Sequence, residues 1–298
     1  IKLARLYGHK QGIQSPSIIV AESAFHGRTM ATLSASGNRK IQAGFEPLVS
    51  GFIRAPYGDT AALETIGENN QQVVAVLLEP MQGEAGVLVP HEDNYLAHVR
   101  ELCDRNGWLL MLDEVQTGNG RTGSWFAYQQ MGFLPDVVTT AKGLGNGVPI
   151  GACMARGKAA KTFEPGNHGS TFGGNLLACR AALEVIRQIE TLGLCEQAAA
   201  RGEQIKARIA DTLASHGVIK DVRGNGLMLG FELNIDCNGL VDRGLQTGVI
   251  FNVAGGNNIR LLPPLTLSKE EADQLCDLVC AAVIAQCEAL DSTVPVAG

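Results

Sequence analysis

The sequence predicts an α/β protein in which a mostly parallel central sheet is flanked by helices and followed by a smaller α+β domain. Short, uninterrupted apolar runs at 17–21, 73–78 and 108–112 are bounded by turn residues, which is typical of strands buried on both faces. Segments with helical periodicity separate the later runs, as the crossovers of a parallel sheet require. Beyond Leu192 the apolar runs become short and alternating, which is typical of an α+β domain.

The elements of the large domain alternate between helix and strand along the chain. They are a helix at 1–7, a strand at 17–21, a helix at 59–70 capped by Asp59, a strand at 73–78, a helix at 92–106, strands at 108–112, 137–141 and 149–155, and a helix at 175–190. This alternation predicts that the strands lie side by side with their carboxyl ends at one edge of the sheet.

The elements of the small domain are shorter. They are a helix at 195–215, strands at 218–222, 227–234, 249–253 and 258–262, and a final helix that begins at the capping signature Ser268–Glu271. We place the large domain at 1–193 and the small domain at 194–298. A length of 298 residues is enough for two such domains and a large core.

Composition excludes several classes of partner. The net charge of −6, without a cluster of Lys or Arg, argues against a nucleic-acid surface. No apolar run approaches the roughly 20 residues that span a bilayer, and no signal segment is visible at the amino end. We therefore expect small-molecule ligands, with no nucleic-acid or membrane partner.

The eight cysteines are scattered, without a C-x-x-C pair. Cys276, Cys280 and Cys287 share one face of a predicted helix, so a metal cluster is one interpretation. Small apolar side chains on a packed face are the favoured one, and we expect no metal. Free thiols in this number suit a reducing cytoplasm, where we expect the protein.

Asp113 and Lys142 each follow directly after a predicted strand. Open α/β sheets bind ligands at this edge, so both side chains are expected in one crevice. A functional carboxylate is favoured for Asp113 over a helix cap because five apolar residues precede it. Lys142 lies between Ala141 and Gly143, where a partly desolvated amine becomes nucleophilic; a solvated loop lysine is the alternative. Together they suit a cofactor with a basic ring nitrogen and an aldehyde, namely pyridoxal phosphate.

The run Gly118–Gly123 matches the dinucleotide motif G-x-G-x-x-G. That motif must directly follow a strand and open a helix, with an acidic residue ending the next strand. Here Asp113–Thr117 intervene, and Asp136 precedes its strand. We therefore set nucleotide binding aside.

Six motifs in order resemble the class III (ornithine-type) pyridoxal-phosphate aminotransferases, up to about Leu290. They are Ala24–Thr29, Glu79–Glu84, Asp113–Gly118, Ala141–Lys142, His168–Asn175 and Ile259–Pro264. The resemblance implies the fold type I of pyridoxal-phosphate-dependent transferases. In this family a Ser-Gly-Thr or Ser-Gly-Ala turn, which holds the cofactor phosphate, precedes the helix with which this sequence begins. Part of the family's large domain is therefore expected to lie outside the sequence.

The resemblance implies a role in cofactor binding for several of these residues. Lys142 would hold the cofactor covalently through its amine and later move a proton. Asp113 would keep the ring nitrogen protonated. Gln116 would bind the ring hydroxyl, while Val115 and Phe25 would pack on opposite faces of the ring.

The same resemblance implies that a partner subunit helps to bind the cofactor phosphate. Thr171 would donate a hydrogen bond to the phosphate from the partner subunit, with Ser170 contributed across the same interface. The resemblance thus implies a homodimer. It also includes Glu114 in the cofactor-binding run.

Substrate recognition is implied at charged residues. Arg28 would bind a carboxylate of the acetylated substrate, with help from Ser170. Arg260 would bind the α-carboxylate of glutamate through its planar fork, and Glu84 would neutralise it when the other substrate enters. Glu79 would support this network from the strand end. A surface salt bridge is the alternative for each charge.

The implied reaction is amino transfer between N2-acetyl-L-ornithine and 2-oxoglutarate, giving N-acetyl-L-glutamate 5-semialdehyde and L-glutamate, a step in arginine biosynthesis. Succinylornithine, succinyl-diaminopimelate, ornithine and 4-aminobutyrate remain alternative donors. An alternative of another class is a truncated, non-catalytic paralogue that acts as a dimerising or regulatory partner. The intact set of Asp113, Gln116 and Lys142 argues against that alternative, whereas the phosphate turn outside the sequence argues for it.

Overall fold

The computed structural model describes residues 1–92 and 94–293, and the chain divides into two compact units. The larger unit comprises Ile1–Glu84, Val89–Asn119 and Ser124–Thr191. The smaller unit comprises Ala85–Leu88, Gly120–Gly123 and the chain from Leu192 onward. The sequence places the boundary between 193 and 194, close to Leu192, but does not anticipate that two short inner segments belong to the smaller unit.

The larger unit alternates helices and strands much as the sequence predicts. Its elements are α1 (Lys2–Lys10), β1 (Ser17–Ala21), α2 (Met30–Ala35), α3 (Arg39–Gln42), β2 (Phe52–Ala55), α4 (Thr60–Asn69), β3 (Val73–Leu78), α5 (Tyr95–Asn106), β4 (Leu109–Asp113), β5 (Val137–Thr140), β6 (Ala152–Ala155), α6 (Gly157–Ala160) and α7 (Leu176–Thr191). The predicted cap of α4 is confirmed, since the Asp59 carboxylate accepts from the Ala62 N–H at 2.8 Å. Asp93, within the predicted helix 92–106, lies outside the described residues.

The six strands form one sheet in the order β2-β1-β3-β4-β5-β6. All neighbours are parallel except β5 and β6, so the prediction of a mostly parallel sheet is confirmed. The sequence does not predict β2, because this edge strand is short, only partly buried, and carries Arg54.

Both faces of this sheet are buried, which explains the uninterrupted apolar runs. Ile19 and Leu110 belong to one apolar cluster, whereas their neighbours Ile18 and Leu109 belong to another. Alternate side chains of one strand point to opposite faces, so the two clusters lie on the two faces of the sheet. Because both faces are covered by apolar side chains, polar residues are expected at the edge where the parallel strands end.

The smaller unit contains an antiparallel sheet of four strands in the order β7-β8-β10-β9. Its elements are α8 (Leu194–Leu213), β7 (Ile219–Asn225), β8 (Met228–Leu233), α9 (Leu240–Thr247), β9 (Asn252–Ala254), β10 (Asn258–Leu261) and α10 (Lys269–Thr293). The capping signature before α10 is confirmed: the Ser268 hydroxyl accepts from the Glu271 N–H, and the Glu271 carboxylate accepts from the Ser268 N–H. Along the described residues, every helix is too short or too polar to cross a membrane.

Two arginines hold the short inner segments to the smaller unit. Arg223 Nε donates to the Val87 carbonyl at 2.9 Å. The Leu227 N–H donates to the Arg121 carbonyl at 2.8 Å, and the Arg121 guanidinium donates back to the Leu227 carbonyl at 3.1 Å. Burial lowers the pKa of Arg121 to about 10. Arg121 therefore has a structural role, and the run Gly118–Gly123 opens no helix.

Candidate active site

Loops that carry polar side chains meet at the carboxyl edge of the large sheet. Asp113 is the last residue of β4 and pairs in register with Thr139 of β5. Lys142 lies three residues after Thr139, at the same edge of the sheet. Glu79 comes directly after β3, which lies on the other side of β4. The sheet therefore brings the predicted acid and the predicted amine to one edge.

The Asp113 carboxylate is held by three donors. His26 Nδ1 lies 2.8 Å from Asp113 Oδ2, and the two side chains are only 2% and 11% exposed. Oδ1 accepts from the Val115 N–H and from the Thr139 hydroxyl, each at 3.2 Å. These contacts fix the orientation of the Asp113 carboxylate at the edge of the sheet.

The sequence analysis predicts a role for neither His26 nor Thr139. His26 follows β1, which is separated from β4 by β3, so its contact with Asp113 depends on the order of the strands in the sheet. The available signal is its place between Phe25 and Gly27 in a loop that follows a buried strand.

Glu79 lies beside this network and is almost completely buried. Its carboxylate accepts from the Phe25 N–H at 2.9 Å and from the Gly83 N–H at 3.3 Å. Burial raises the pKa of Glu79 to about 7; His26 and these two hydrogen bonds oppose the rise, and Asp113 adds to it. Glu79 thus changes its charge near neutral pH at the base of the Phe25 loop.

Glu114 and Gln116 face different surroundings. The Glu114 carboxylate is buried and accepts from the N–H groups of Ala127 and Tyr128, at 2.8 and 3.0 Å. Burial raises its pKa against these hydrogen bonds. Its side chain therefore anchors residues 127–128, and the cofactor role of Glu114 stays a prediction. Gln116 packs against Gly83 so closely that a Cβ at Gly83 would lie 2.3 Å from the Gln116 side-chain oxygen.

Lys142 occupies a strained position at the start of a short 3₁₀ turn, Lys142–Leu144. Its φ of +45° lies in the left-handed region, which is unfavourable for a residue with a side chain. The residue is exposed at the sheet edge, so its amine is accessible to a ligand there. Backbone strain of this kind is commonly retained where function requires it.

Phe25 and Arg28 lie together in the loop after β1. The Arg28 guanidinium lies over the Phe25 ring, with 5.7 Å from Cζ to the ring centroid. Phe25 is half-buried and Arg28 is exposed. The structure thus places both on the loop that also carries His26, and their cofactor and substrate roles stay predictions.

Ser170 and Thr171 belong to a segment, 164–177, that is exposed throughout and ends in the first two residues of α7. Its apolar residues are also exposed: Phe172 is 80%, Leu176 89% and Leu177 76% accessible. Contiguous exposed apolar side chains mark an interaction surface. The contribution of Ser170 and Thr171 to the site of a partner subunit stays a prediction.

Arg260 and Glu84 belong to different units. Arg260 lies in the middle of β10, opposite Gly230 of β8, and is half-buried. Glu84 ends the first segment of the larger unit and is exposed. The predicted pairing of these two residues stays a prediction.

The described residues fit the predicted cofactor. A hydrogen-bonded carboxylate and an exposed lysine share one sheet edge. Val115 and Gln116 follow Asp113 in the loop after β4, and Phe25 precedes His26 in the loop after β1. Within residues 1–92 and 94–293, no group of three or more His, Cys, Asp or Glu is arranged to hold a metal ion.

Comparison with known proteins gives matches over most of the chain. The family model for class-III aminotransferases matches residues 1–283. The chain is 54% identical to acetylornithine aminotransferase from Nitrosomonas europaea over 95% of this chain and 72% of that protein.

Solved structures give the same result for the fold. Ornithine aminotransferase from Toxoplasma gondii, whose structure reveals partial occupancy of PLP at its active site, superposes with a TM-score of 0.91 at 33% identity, covering 97% of this chain and 70% of that one. N-acetylornithine aminotransferase from Stenotrophomonas maltophilia superposes with a TM-score of 0.81 at 33% identity, covering 97% and 71%.

Proposed function

Because the chain belongs to the class-III aminotransferase family, we propose that it transfers an amino group from N2-acetyl-L-ornithine to 2-oxoglutarate with pyridoxal phosphate as cofactor. The products are N-acetyl-L-glutamate 5-semialdehyde and L-glutamate, as in arginine biosynthesis. The observation that carries the proposal is the hydrogen-bonded carboxylate of Asp113 beside the strand end that bears Lys142. The name of the Nitrosomonas europaea relative supports the choice of donor.

Pyridoxal phosphate supplies an aldehyde that takes up the amino group and a ring that accepts electrons from the reacting carbon. Asp113 would bind the protonated ring nitrogen, and His26 and Thr139 orient its carboxylate. Gln116 would bind the ring hydroxyl, and Val115 and Phe25 would pack against the ring. These side chains hold the cofactor in one orientation at the sheet edge.

Lys142 performs two tasks in this proposal. Its amine would hold the cofactor covalently. The same amine would move a proton at the reacting carbon as general base and acid. The exposure of Lys142 at the sheet edge supports both tasks.

The substrates are recognised through their carboxylates. Arg28, with Ser170, binds the carboxylate of the acetylated donor, and Arg260 binds the α-carboxylate of glutamate in a bidentate manner. Glu84 neutralises Arg260 when a substrate without that carboxylate enters. Glu79 supports the loop of Phe25 and Arg28 through its hydrogen bond to the Phe25 N–H.

We also propose a cytoplasmic homodimer in which Thr171 donates to the cofactor phosphate of the partner subunit. The exposed apolar side chains of Phe172, Leu176 and Leu177 support this arrangement, because association would remove them from water. Each active site would then need residues from two chains.

The test of this proposal is a comparison of donors. The purified protein, incubated with pyridoxal phosphate, is expected to show a visible absorption band that Lys142→Ala lacks. With 2-oxoglutarate as acceptor, kcat/KM for N2-acetyl-L-ornithine should exceed that for ornithine, succinylornithine, succinyl-diaminopimelate and 4-aminobutyrate. A higher value for another donor would contradict the proposed substrate. A folded protein that forms no band and turns over no donor would indicate a non-catalytic paralogue.

A further inference from the structure

We propose that Asn119 is a positioning residue that holds the backbone of Lys142 in its left-handed conformation. The catalytic consequence rests on the function proposed above, whereas the structural consequence does not. Asn119 lies in the loop after β4, six residues beyond Asp113, and Lys142 lies two residues beyond the end of the neighbouring strand β5. The amide of Asn119 joins these two loops.

The contacts of Asn119 are made from a buried position. Its side chain is only 6% exposed. Nδ2 donates to the Thr140 hydroxyl at 2.8 Å and to the Ala141 carbonyl at 3.2 Å. A Cβ on Gly143 would lie 3.6 Å from the Asn119 Cβ, so the side chain also packs beneath the residue after Lys142.

The Ala141 carbonyl is the important acceptor, because it belongs to the peptide that precedes Lys142. The same carbonyl accepts from the Leu144 N–H at 3.0 Å, which closes the short turn that contains Lys142. The Asn119 amide therefore fixes the orientation of this peptide from outside the turn. Rotation of the peptide away from this orientation would break both hydrogen bonds.

Strain explains why such a support is needed. A left-handed residue with a side chain costs about 1–3 kcal/mol and persists only when its surroundings impose it. Lys142 has a φ of +45°, and the glycines that follow it offer few restraints of their own. Asn119 itself has a φ of +58°, and its own N–H donates to the Trp125 carbonyl at 2.7 Å. Asparagine tolerates that conformation better than most residues, so the support is itself stable.

The variants follow from this geometry. Asn119→Gly deletes both hydrogen bonds but keeps a backbone that adopts positive φ without strain. Asn119→Asp keeps the shape and a bond from the Thr140 hydroxyl, but it can no longer donate to the Ala141 carbonyl. Thr140→Val is the matched control, because it deletes the Thr140 contact and leaves the Ala141 contact in place.

The first measurement is amide hydrogen exchange of the cofactor-free protein. We expect the Leu144 and Gly145 amides to exchange about tenfold faster in Asn119→Gly and Asn119→Asp, and at the wild-type rate in Thr140→Val. These amides bond to the Ala141 and Lys142 carbonyls, so they report on the turn itself. Wild-type exchange in both Asn119 variants would overturn the proposal, even if their thermal unfolding temperatures fall.

The second measurement concerns the reactive amine. After addition of pyridoxal phosphate, the visible band should form more slowly in both Asn119 variants, and kcat should fall about 10- to 100-fold with little change in KM. Thr140→Val should behave as wild type. Unchanged band formation and kcat would refute the positioning role. A wild-type protein that forms no band would instead count against the proposed function, and the exchange rates would still decide whether Asn119 holds the turn.

Discussion

The strand edge around Asp113 and the segment 164–177 are both predicted to bind the cofactor, but the first is buried and the second is exposed to solvent. At the strand edge the polar side chains of Glu79, Glu114 and Asn119 are buried and hydrogen-bonded within the chain. Ser170 and Thr171 lie in a loop that is exposed throughout, beside Phe172, which is 80% accessible. Near Ser170 the hydrogen bonds are local, such as the bond from the Gly173 N–H to the Ser170 carbonyl. The first part of the segment is bonded to another element, by hydrogen bonds from Lys2 and Lys10 of α1 to Asn167 and Glu164.

This difference shows for which parts of the site a single chain fixes the positions of the side chains. Buried side chains that hydrogen-bond to one another have few alternative arrangements, so the geometry around Asp113 is specified within the larger unit. An exposed loop with apolar side chains needs a second surface before its residues acquire fixed positions. The predicted ring site and the predicted phosphate site should therefore respond differently to substitution and to mixing of subunits.

The largest effect is expected at the strand edge, for Lys142→Ala. Loss of the amine removes both the covalent bond to the cofactor and the proton transfer, so kcat should fall by about 10⁴-fold or more. Steady-state assays and the visible absorption spectrum check this result. Lys158→Ala, at another lysine of the larger unit, should keep the band. Turnover within tenfold of wild type in Lys142→Ala would exclude the assigned role.

Asp113→Asn is expected to lower kcat by about 10³-fold while keeping the visible band, because Lys142 remains but the ring nitrogen loses its anionic partner. Rapid-mixing measurements of the first half-reaction test this. Thr139→Val, which deletes one of the hydrogen bonds to Asp113, should lower the rate far less. If Asp113→Asn reacted at the wild-type rate, the carboxylate would have no part in activating the ring.

Thr171→Val tests the other side of the comparison. Loss of one hydrogen bond to a charged phosphate should weaken cofactor binding about 10- to 100-fold. In mixed dimers of Lys142→Ala and Thr171→Val chains, one of the two sites would regain both native residues if Thr171 acts across the interface. We therefore expect activity at low cofactor concentration to reappear on mixing.

Each parent variant alone provides the control for that experiment. If Thr171 acts within its own chain, every mixed dimer carries one defect in each site. Mixing would then restore nothing. That result would contradict the difference drawn between the two regions.

The smallest effect on turnover is expected for Glu79→Gln, whose consequence is a change in pH dependence. Folding raises the pKa of Glu79 from 4.5 to about 7. The folded protein therefore binds the proton of the Glu79 carboxyl group more tightly than the unfolded chain does. The free energy of unfolding should therefore fall by about 3 kcal/mol as the pH rises from 4.5 to 7, and Glu79→Gln should remove this dependence.

Urea denaturation of the cofactor-free protein at several pH values measures the effect. Glu101→Gln, at an exposed position on α5, serves as the control and should keep the wild-type slope. An equal slope in wild type and Glu79→Gln would show that Glu79 does not hold a proton in this range.

The strand edge was also the part most accessible from the sequence. Strands β1 and β3 have the predicted bounds, because continuous apolar runs between turn residues have few other interpretations. Asp113 and Lys142 could be placed together since neighbouring parallel strands end at one edge. His26 could not, because the order of strands in the sheet decides that the loop after β1 reaches Asp113.

Other features depend on contacts that leave no local signal. The close approach of Gly83 and Gln116 and the hydrogen bond from Asn119 to Ala141 are decided by packing between separate loops. The edge strand β2 was missed because partial burial interrupts its apolar pattern. For Ser170 and Thr171, only the resemblance to a family suggested a role.

The placement of Ala85–Leu88 and Gly120–Gly123 in the smaller unit bears on how such a protein can be inherited and recombined. Within the described residues the chain passes from one unit to the other five times, so a genetic crossover at Leu192 would not transfer a self-contained module. After such a crossover, Arg223 and Leu227 would come from one parent, and the residues that they contact at positions 87 and 121 would come from the other. The two units are therefore expected to diverge together, as a single evolutionary piece.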